Sequence, residues 1–319
     1  MSPLRIVFFG TPAFAVPTLE RLVASGHQVT AVVTQPDRPR GRGQRLQPEA
    51  VKRSAVAHAL PVLQPDRLKD PDFLAAMRDR QPDLGVVAAY GKILPREVLD
   101  LPARGLINVH ASLLPRWRGA APIHRAILAG DRETGVTIMR VVAALDAGPM
   151  LARTAVAIDP EETTGELEGR LAVAGGDLLV RVTDQLAQGD VPEIEQDASL
   201  VTYASRITRA DAAFDWGLPA TVLHDRIRAL NPWPLVAVRW HDRRLMVRRS
   251  AVAASDRTAQ PGTIVDVRPD AIVVAAGEGA LAIREVQLEG RPPVATAAFL
   301  AGHRVTAGER LEPWPAGSS

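Results

Sequence analysis

Short apolar runs alternate with segments of helical apolar spacing through the first part of the chain. Residues 6–9 form a continuous apolar run, as in a buried parallel strand. Leu19 and Leu22 then recur at helical spacing, and residues 29–33 form the next apolar run. Strand, helix and strand within about 30 residues predict a βαβ unit.

The same alternation continues to about residue 190. Further strands are expected at 84–89, 106–110, 136–142 and 150–158, and helices at 17–25, 48–59, 72–80, 120–128 and 163–186. Alternating strands and helices are typical of α/β folds. The pattern therefore predicts a doubly wound, mostly parallel, Rossmann-like sheet.

The pattern changes after Gly189. Residues 191–205 are acidic and irregular, and we expect them to link two domains. One helix is expected at 219–230, and short strands at 236–240, 245–249, 262–267, 271–275 and 280–288. Five short strands favour a small OB-like β-barrel. The predicted domains are thus 1–190 and 206–319.

Composition narrows the classes of protein that fit. The chain has 319 residues, of which 46% are hydrophobic and 23% charged, as in a globular protein of two domains. It has no cysteine, which excludes disulfides and thiolate chemistry. No signal peptide or membrane-spanning run is recognisable, so we expect a cytoplasmic protein. The net charge of +2 permits a nucleic-acid partner without requiring one.

Asn108 and His110 are the first candidates for chemistry. Residues two apart on a strand share a face, and this strand is expected to end at His110. Open α/β sheets bind ligands at the carboxyl ends of their strands. An amide and an imidazole there can stabilise an oxyanion and handle a proton. A buried structural histidine with an asparagine neighbour fits the same pattern.

Two loops hold further candidates. Asp146 lies among alanine, glycine and proline, where its carboxylate can favour a charged imidazole, although a simple turn aspartate fits equally. Arg38, Arg40, Arg42 and Arg45 lie in a Gly- and Pro-rich loop that can bind phosphates or be merely solvated. The turn after the first strand, residues 10–15, lacks the Gly-x-Gly-x-x-Gly pattern of dinucleotide sites.

Several of these segments together resemble one family. Residues 108–123 read Asn-Val-His-Ala-Ser-Leu-Leu-Pro-Arg-Trp-Arg-Gly-Ala-Ala-Pro-Ile, which is similar to the folate-dependent formyltransferase superfamily. The resemblance extends from residue 6 to about 311. The loop at 36–43 and the segments 206–211 and 227–234 are similar to the members of that superfamily that act on tRNA.

The resemblance implies an activity and its residues. It implies transfer of a formyl group from 10-formyltetrahydrofolate to the amine of methionyl initiator tRNA by a monomeric enzyme without a metal. Asn108, His110 and Asp146 match the catalytic trio, and the arginines of the loop match residues that contact tRNA. The barrel would bind tRNA phosphates. The residues that match the folate site are Ser112, Leu113, Leu114, Pro115, Val87, Tyr90, Gly91, Ile93 and Leu94.

One departure from the superfamily pattern leaves the function open to more than one interpretation. Where the superfamily usually has Asp, Gly and Thr beside the folate, this chain has Val142, Ala144 and Ala147. That change puts folate affinity in question and is the feature that favours a non-catalytic RNA-binding relative, whereas the intact trio argues against such a relative. Three other reactions would use the same trio. They are formyl transfer to a nucleotide-sugar amine, formyl transfer to glycinamide ribonucleotide, and hydrolysis of 10-formyltetrahydrofolate with release of formate.

Overall fold

The computed structural model describes residues 2–40, 45–189, 191–254 and 259–315. Its contacts divide the chain into two compact units. The first unit comprises Met1–Gly119, Glu133–Ala157 and Glu168–Ala204, and the second comprises Ala120–Arg132, Ile158–Leu167 and Ser205–Ser319. The units therefore alternate along the sequence, and the contiguous domains 1–190 and 206–319 stay a prediction.

The elements that the sequence predicts in the first unit begin close to their expected positions, and shorter elements lie between them. Its strands are β1 (Arg5–Gly10), β2 (Gln28–Val33), β3 (Arg38–Arg40), β4 (Arg45–Gln47), β5 (Val62–Leu63), β6 (Leu84–Ala88), β7 (Leu106–His110), β8 (Arg118–Gly119), β9 (Glu133–Arg140), β10 (Met150–Ala157) and β11 (Tyr203–Ala204). The helices of the whole chain are α1 (Val16–Ala24), α2 (Ala50–Ala57), α3 (Pro71–Asp79), α4 (Arg96–Leu99), α5 (Pro122–Leu128), α6 (Thr164–Gln188), α7 (Ala220–Ala229) and α8 (Thr296–Gly302).

The main sheet of the first unit has the strand order β10-β9-β7-β6-β1-β2-β5. Neighbouring strands from β7 to β5 are parallel, whereas β9 and β10 add an antiparallel edge beside β7. The predicted doubly wound, mostly parallel sheet is confirmed. The chain runs from β1 to β2 and β5 on one side, and then to β6 and β7 on the other. The order thus reverses beside β1, and such switch points are where open α/β sheets bind ligands.

The carboxyl end of β1 is closely packed against its neighbours. β1 is buried from Ile6 onward, and Phe9 belongs to a core that also contains Val33, Met77 and Leu106. Gly10 ends β1 where a Cβ would lie 3.1 Å from the Ala88 carbonyl oxygen and still closer to Phe8 and Ala15. Only glycine therefore fits at this end of the strand without displacing its neighbours.

The second unit is built on an antiparallel sheet. Its strands are β12 (Val236–Trp240), β13 (Arg243–Ala253), β14 (Ile264–Val267), β15 (Ile272–Ala275), β16 (Ala280–Leu288), β17 (Val294–Ala295) and β18 (Glu312–Pro313), in the order β14-β15-β16-β13-β12-β18. The Ile264 N–H donates to the Glu309 carbonyl, and the Leu311 N–H donates to the Gly262 carbonyl. The segment before β18 thus joins β14, so both edges of the sheet connect. The expected small barrel is confirmed.

Several elements were not expected from the sequence. They are the β3–β4 pair, β5, α4, the β8–β11 pair, β17, α8 and β18. Residues 191–204 of the expected link belong to the first unit, where Ile194 forms a bridge with Met150 and β11 pairs with β8. Within the described ranges, none of the helices combines the length and hydropathy needed to cross a membrane.

Candidate active site

Asn108 and His110 lie on β7 as predicted, and pairing with neighbouring strands holds their backbone. Asn108 is paired with Val87 of β6 and Met139 of β9, while His110 is opposite Thr137 of β9. His110 is buried, with 5% of its surface exposed, and Asn108 is half-buried. The Asn108 side-chain amide makes no hydrogen bond with another described residue. It is therefore free to bind a ligand atom.

Both ring nitrogens of His110 face acceptors from the protein. Nε2 lies 2.9 Å from the Trp117 carbonyl oxygen, which only accepts, so Nε2 carries a hydrogen and donates it. Nδ1 lies 3.7 Å from Asp146 Oδ2. Both side chains are largely buried, which leaves the two groups little shielded by water. Nδ1 thus faces the Asp146 carboxylate directly, and that carboxylate would attract a positive charge on the ring.

Asp146 lies in the loop between β9 and β10 and is held there by specific contacts. Its backbone has a φ of +47°, in the left-handed region that aspartate tolerates better than most residues. Its Oδ2 accepts a hydrogen bond from the Gly119 N–H at 2.8 Å. A Cβ on Gly148 would lie 2.0 Å from the Arg140 carbonyl oxygen, so the loop returns to β10 only through a glycine. The structure therefore brings together all three predicted catalytic residues.

The predicted folate segment 112–115 follows β7 and is held by hydrogen bonds to Thr137 of β9. The Ser112 hydroxyl donates to the Arg116 carbonyl at 2.7 Å, and its own carbonyl accepts from the Thr137 hydroxyl at 2.7 Å. The Leu114 N–H donates to the same Thr137 oxygen at 3.1 Å, and Leu114 packs in a buried cluster with Met139 and Met150. Pro115 is buried too, whereas Leu113 is half-buried. Ser112 and Leu114 therefore shape this loop chiefly through contacts with the protein.

Tyr90, predicted to border the folate, places its ring in the core. The ring packs edge-to-face on Phe9, with centroids 5.6 Å apart, and only 2% of the residue is exposed. Its hydroxyl has no partner among the described residues, and burial raises the pKa of Tyr90 to about 12. Its carbonyl accepts hydrogen bonds from the Thr11 hydroxyl at 3.2 Å and the Gln35 amide at 2.9 Å. Its backbone thus joins the loops after β1, β2 and β6.

The remaining predicted folate residues lie on or after β6. Leu94 is buried, Val87 is half-buried, and Gly91 is exposed with a φ of +79°. Ile93 is 85% exposed. Leu145 and Val142, on the loop that carries Asp146, are also exposed apolar side chains, at 60% and 40%. The three departures from the family pattern, Val142, Ala144 and Ala147, make none of the contacts that hold the Asp146 side chain.

The arginine loop forms the short antiparallel pair of β3 and β4. Arg38 is exposed and donates to the Gln35 side chain at 3.2 Å. Arg40 and Arg45 are paired across the two strands, and only their backbone is described. Arg42 lies outside the described residues. The cluster of four arginine side chains therefore stays a prediction.

The base of that loop is anchored by an ion pair. Lys52 Nζ lies 2.5 Å from Asp37 Oδ2 and also donates to the Gln64 side chain at 2.7 Å. The Lys52 ammonium and the Gln64 amide both donate to the Asp37 carboxyl. These two hydrogen bonds, chiefly the one from Lys52, lower the pKa of that carboxyl below its usual value. Asp37 thus stays charged and attaches the start of the arginine loop to α2.

Sequence reasoning missed several groups that support the trio. The Trp117 carbonyl and the Gly119 N–H contact His110 and Asp146, and they come from a turn rather than from a patterned element. Gln196 contacts the backbone of the Asp146 loop from 50 residues away along the chain. Within the part of the chain that the structure describes, no three His, Asp or Glu side chains converge as metal ligands would.

Known proteins match this chain over nearly its whole length. A family model described as formyl transferase matches residues 4–183, and one described as formyl transferase, C-terminal domain, matches residues 206–304. Methionyl-tRNA formyltransferase of Methylococcus capsulatus is 49% identical over 308 residues, which cover 97% of this chain and 99% of that protein. The enzyme of the same name from Moorella thermoacetica is 46% identical over the same shares.

A solved structure supports the fold. An N-formyltransferase from Helicobacter canadensis, in complex with folinic acid and dTDP-3-aminofucose, superposes with a TM-score of 0.66 and 16% identity. The match covers 88% of this chain and 98% of that one. Because the identity is low, this likeness speaks for the fold alone. The sequence matches, at 46–49% over almost the full length, show that this chain belongs to the methionyl-tRNA formyltransferase family.

Proposed function

We propose that this protein transfers the formyl group of 10-formyltetrahydrofolate to the amine of methionine carried by initiator tRNA. The observation that carries the proposal is the Asn108 amide near the end of β7, which has no partner among the described residues and lies on the strand that carries His110 of the buried His110–Asp146 pair. The name of the relatives, methionyl-tRNA formyltransferase, supplies the transferred group and the acceptor, and the resemblance of residues 108–123 to folate-dependent formyltransferases supplies the donor.

The residues around the strand ends fit a folate. A pterin carries hydrogen-bond donors and acceptors on a flat, largely apolar ring. The loops after β6 and β9 offer backbone groups for the ring edge and exposed apolar side chains, Ile93, Val142 and Leu145, for its faces. Replacement of the usual polar loop residues by Val142 and Ala147, and of the usual glycine by Ala144, leaves these backbone groups in place. We therefore propose that folate binding survives the departure.

Each member of the trio has one task in this proposal. The Asn108 amide donates a hydrogen bond to the formyl oxygen as it gains negative charge. His110, protonated at both nitrogens, adds a positive charge on the same face of β7. Asp146 stabilises that charge from Nδ1 and acts on the reaction through His110. The methionine amine forms the new bond to the formyl carbon, the bond between that carbon and N10 of the folate breaks, and N10 leaves with the proton that the amine gives up.

The acceptor contacts lie elsewhere on the chain. Arg38, at the start of the arginine loop, is exposed and suited to a phosphate. The barrel of the second unit belongs to a class of folds that bind nucleic acids. We propose that both contact tRNA and that the enzyme works in the cytoplasm. We further propose that it acts as a monomer, since one copy of the chain contains the whole trio.

The proposal is tested by presenting a panel of amines. Purified protein is incubated with 10-formyltetrahydrofolate and, separately, methionyl initiator tRNA, methionyl elongator tRNA, free methionine and a dTDP-amino sugar. We expect formylation of the initiator tRNA, with binding that weakens steeply as salt rises because phosphate contacts release counterions. Formylation of the amino sugar in place of tRNA would contradict the proposal, and release of formate without any acceptor would indicate a hydrolase.

A further inference from the structure

The segment at 194–204, expected to be a simple link, contacts both loops of the candidate active site within the first unit. Ile194 exchanges backbone hydrogen bonds with Met150, at the end of the Asp146 loop. Thr202 accepts hydrogen bonds from the Trp117 and Arg118 N–H groups, at 2.9 Å each. β11 then pairs with β8 in parallel register. The segment therefore attaches to the two loops that contact His110.

Gln196 is the one residue of this segment whose side chain contacts both loops, among the residues described. Its amide Nε2 donates to the Asp146 carbonyl at 2.9 Å and to the Gly148 carbonyl at 2.8 Å. Its Oε1 accepts from Arg118 Nε at 3.0 Å and Nη2 at 2.8 Å. Both amide hydrogens and the oxygen are thus used, so the side chain has a single favourable orientation.

These contacts connect the two groups that face His110. Arg118 lies between Trp117, whose carbonyl accepts from His110, and Gly119, whose N–H donates to Asp146. The Asp146 backbone has a positive φ, which costs free energy unless surrounding contacts stabilise it. The two hydrogen bonds from Gln196 to carbonyls on either side of Ala147 provide such contacts.

We infer that Gln196 is a positioning residue, which holds the Asp146 carboxylate at its distance from His110 by joining the 146–148 turn to the 117–119 turn. The inference rests on the proposed function for its effect on rate. Its structural part, the placement of Asp146, is measurable without any activity. Gln196 does not touch the reacting atoms and acts only through Asp146.

The test compares three variants of the full-length protein. Gln196→Ala removes all four hydrogen bonds, and Gln196→Glu places an oxygen where the amide hydrogens met two carbonyls. Glu195→Ala is the matched control, because Glu195 is exposed and makes no hydrogen bond with another described residue. For both Gln196 variants we expect kcat to fall about 10- to 100-fold, since small displacements of catalytic groups have effects of this size. KM for folate and tRNA should stay within about twofold, because the polar atoms of Gln196 are already bonded to protein groups.

Two further measurements separate positioning from general stability. In an Asp146→Asn background, Gln196→Ala should change kcat by less than about threefold, because residues that act as a unit are not additive. Hydrogen exchange should show faster exchange of the Gly119 amide in Gln196→Ala, since this N–H is bonded to Asp146, and no change in Glu195→Ala.

Each outcome decides the inference. Unchanged kcat and unchanged Gly119 protection in Gln196→Ala would overturn it, as would an equal loss of kcat in the Asp146→Asn background. A wild-type protein that formylates no acceptor would overturn the proposed function instead. The Gly119 exchange comparison would then still decide whether Gln196 places Asp146.

Discussion

The candidate site joins two regions that are held in different ways. Asn108 and His110 lie on a strand inside the sheet, where β9 pairs with both residues and β6 pairs with Asn108. Asp146 lies on a loop with a left-handed backbone, and separate contacts from Gly119 and Gln196 hold it. The strand residues gain their positions from the sheet, whereas the loop residue depends on partners far away in the sequence.

The difference teaches where variation is tolerated. A strand residue keeps its place whenever the register survives, so its loss removes chemistry and little else. A loop residue loses its place when any one of its supports is removed, so many substitutions affect it. Substitutions on the strand should therefore reduce the rate and leave the stability nearly unchanged. Substitutions in the loop should reduce the rate by displacing Asp146, and a substitution in the core should change the stability alone.

His110→Asn should have the largest effect on rate. It removes the positive charge beside Asn108 and leaves the sheet register unchanged, so kcat should fall about 100- to 1,000-fold, as on loss of one oxyanion donor. Single-turnover formyl transfer to methionyl initiator tRNA measures it, and urea unfolding checks the fold. Near wild-type kcat in a folded variant would show that the strand end is not the catalytic centre.

Asp146→Asn tests the loop side with the loop itself retained. The new amide oxygen can still accept the Gly119 N–H, so the loop keeps its support and only the charge is lost. We expect kcat to fall about 100-fold, within the range for proton-handling groups. The same transfer assay measures this loss. A loss in KM with kcat unchanged would place Asp146 in substrate binding and contradict the role assigned to it.

Gly148→Ala should disturb the loop without altering any catalytic side chain. Its Cβ would lie 2.0 Å from the Arg140 carbonyl oxygen, so the free energy of unfolding should fall by about 1–3 kcal/mol, and kcat should fall with it. Gly169→Ala is the contrast, because nothing lies within 4 Å of its Cβ and it is exposed inside α6. The free energy of unfolding of Gly169→Ala should rise by about 0.5–1 kcal/mol, and its kcat should be unchanged. Equal effects of the two variants in urea unfolding would refute the argument.

Tyr90→Phe should have the smallest effect and leave activity intact. The lost hydroxyl is buried without a partner among the described residues, so stability at pH 7 should rise by about 1 kcal/mol. Because the pKa of Tyr90 is raised to about 12, the stability of the neutral phenol is present below pH 10 and is lost as pH rises towards 12. The variant should lose less stability over that window in urea titrations. A marked loss of folate binding would show that the hydroxyl serves the site.

The sequence allowed most of the sheet and the strand end to be predicted, because their information is local. Apolar runs marked the strands, and the two-residue period of a strand placed Asn108 and His110 on one face. The antiparallel direction of β9 and β10 was not predictable, since an apolar run carries no sign of strand direction. Short elements such as α8 and β5 offered too few residues for a periodic signal.

The supports of Asp146 were beyond reach for a different reason. The contact with Gly119 spans 27 residues and the contact with Gln196 spans 50, and neither belongs to a regular element. A single glutamine in an acidic segment carries no local mark of such a role. Arg42, predicted from the family resemblance to contact tRNA, lies outside the described residues, so that prediction is not tested.

The most direct test of the central claim is a double-mutant cycle in formyl transfer to methionyl initiator tRNA. His110→Asn, Asp146→Asn and the double variant are compared by kcat in single-turnover assays. If Asp146 acts through His110, kcat of the double variant should lie within about threefold of kcat of His110→Asn. Once His110 is replaced, the loss of the Asp146 charge removes nothing further. Losses that multiply in the double variant would show that Asp146 acts independently of His110, and would contradict the role proposed for the pair.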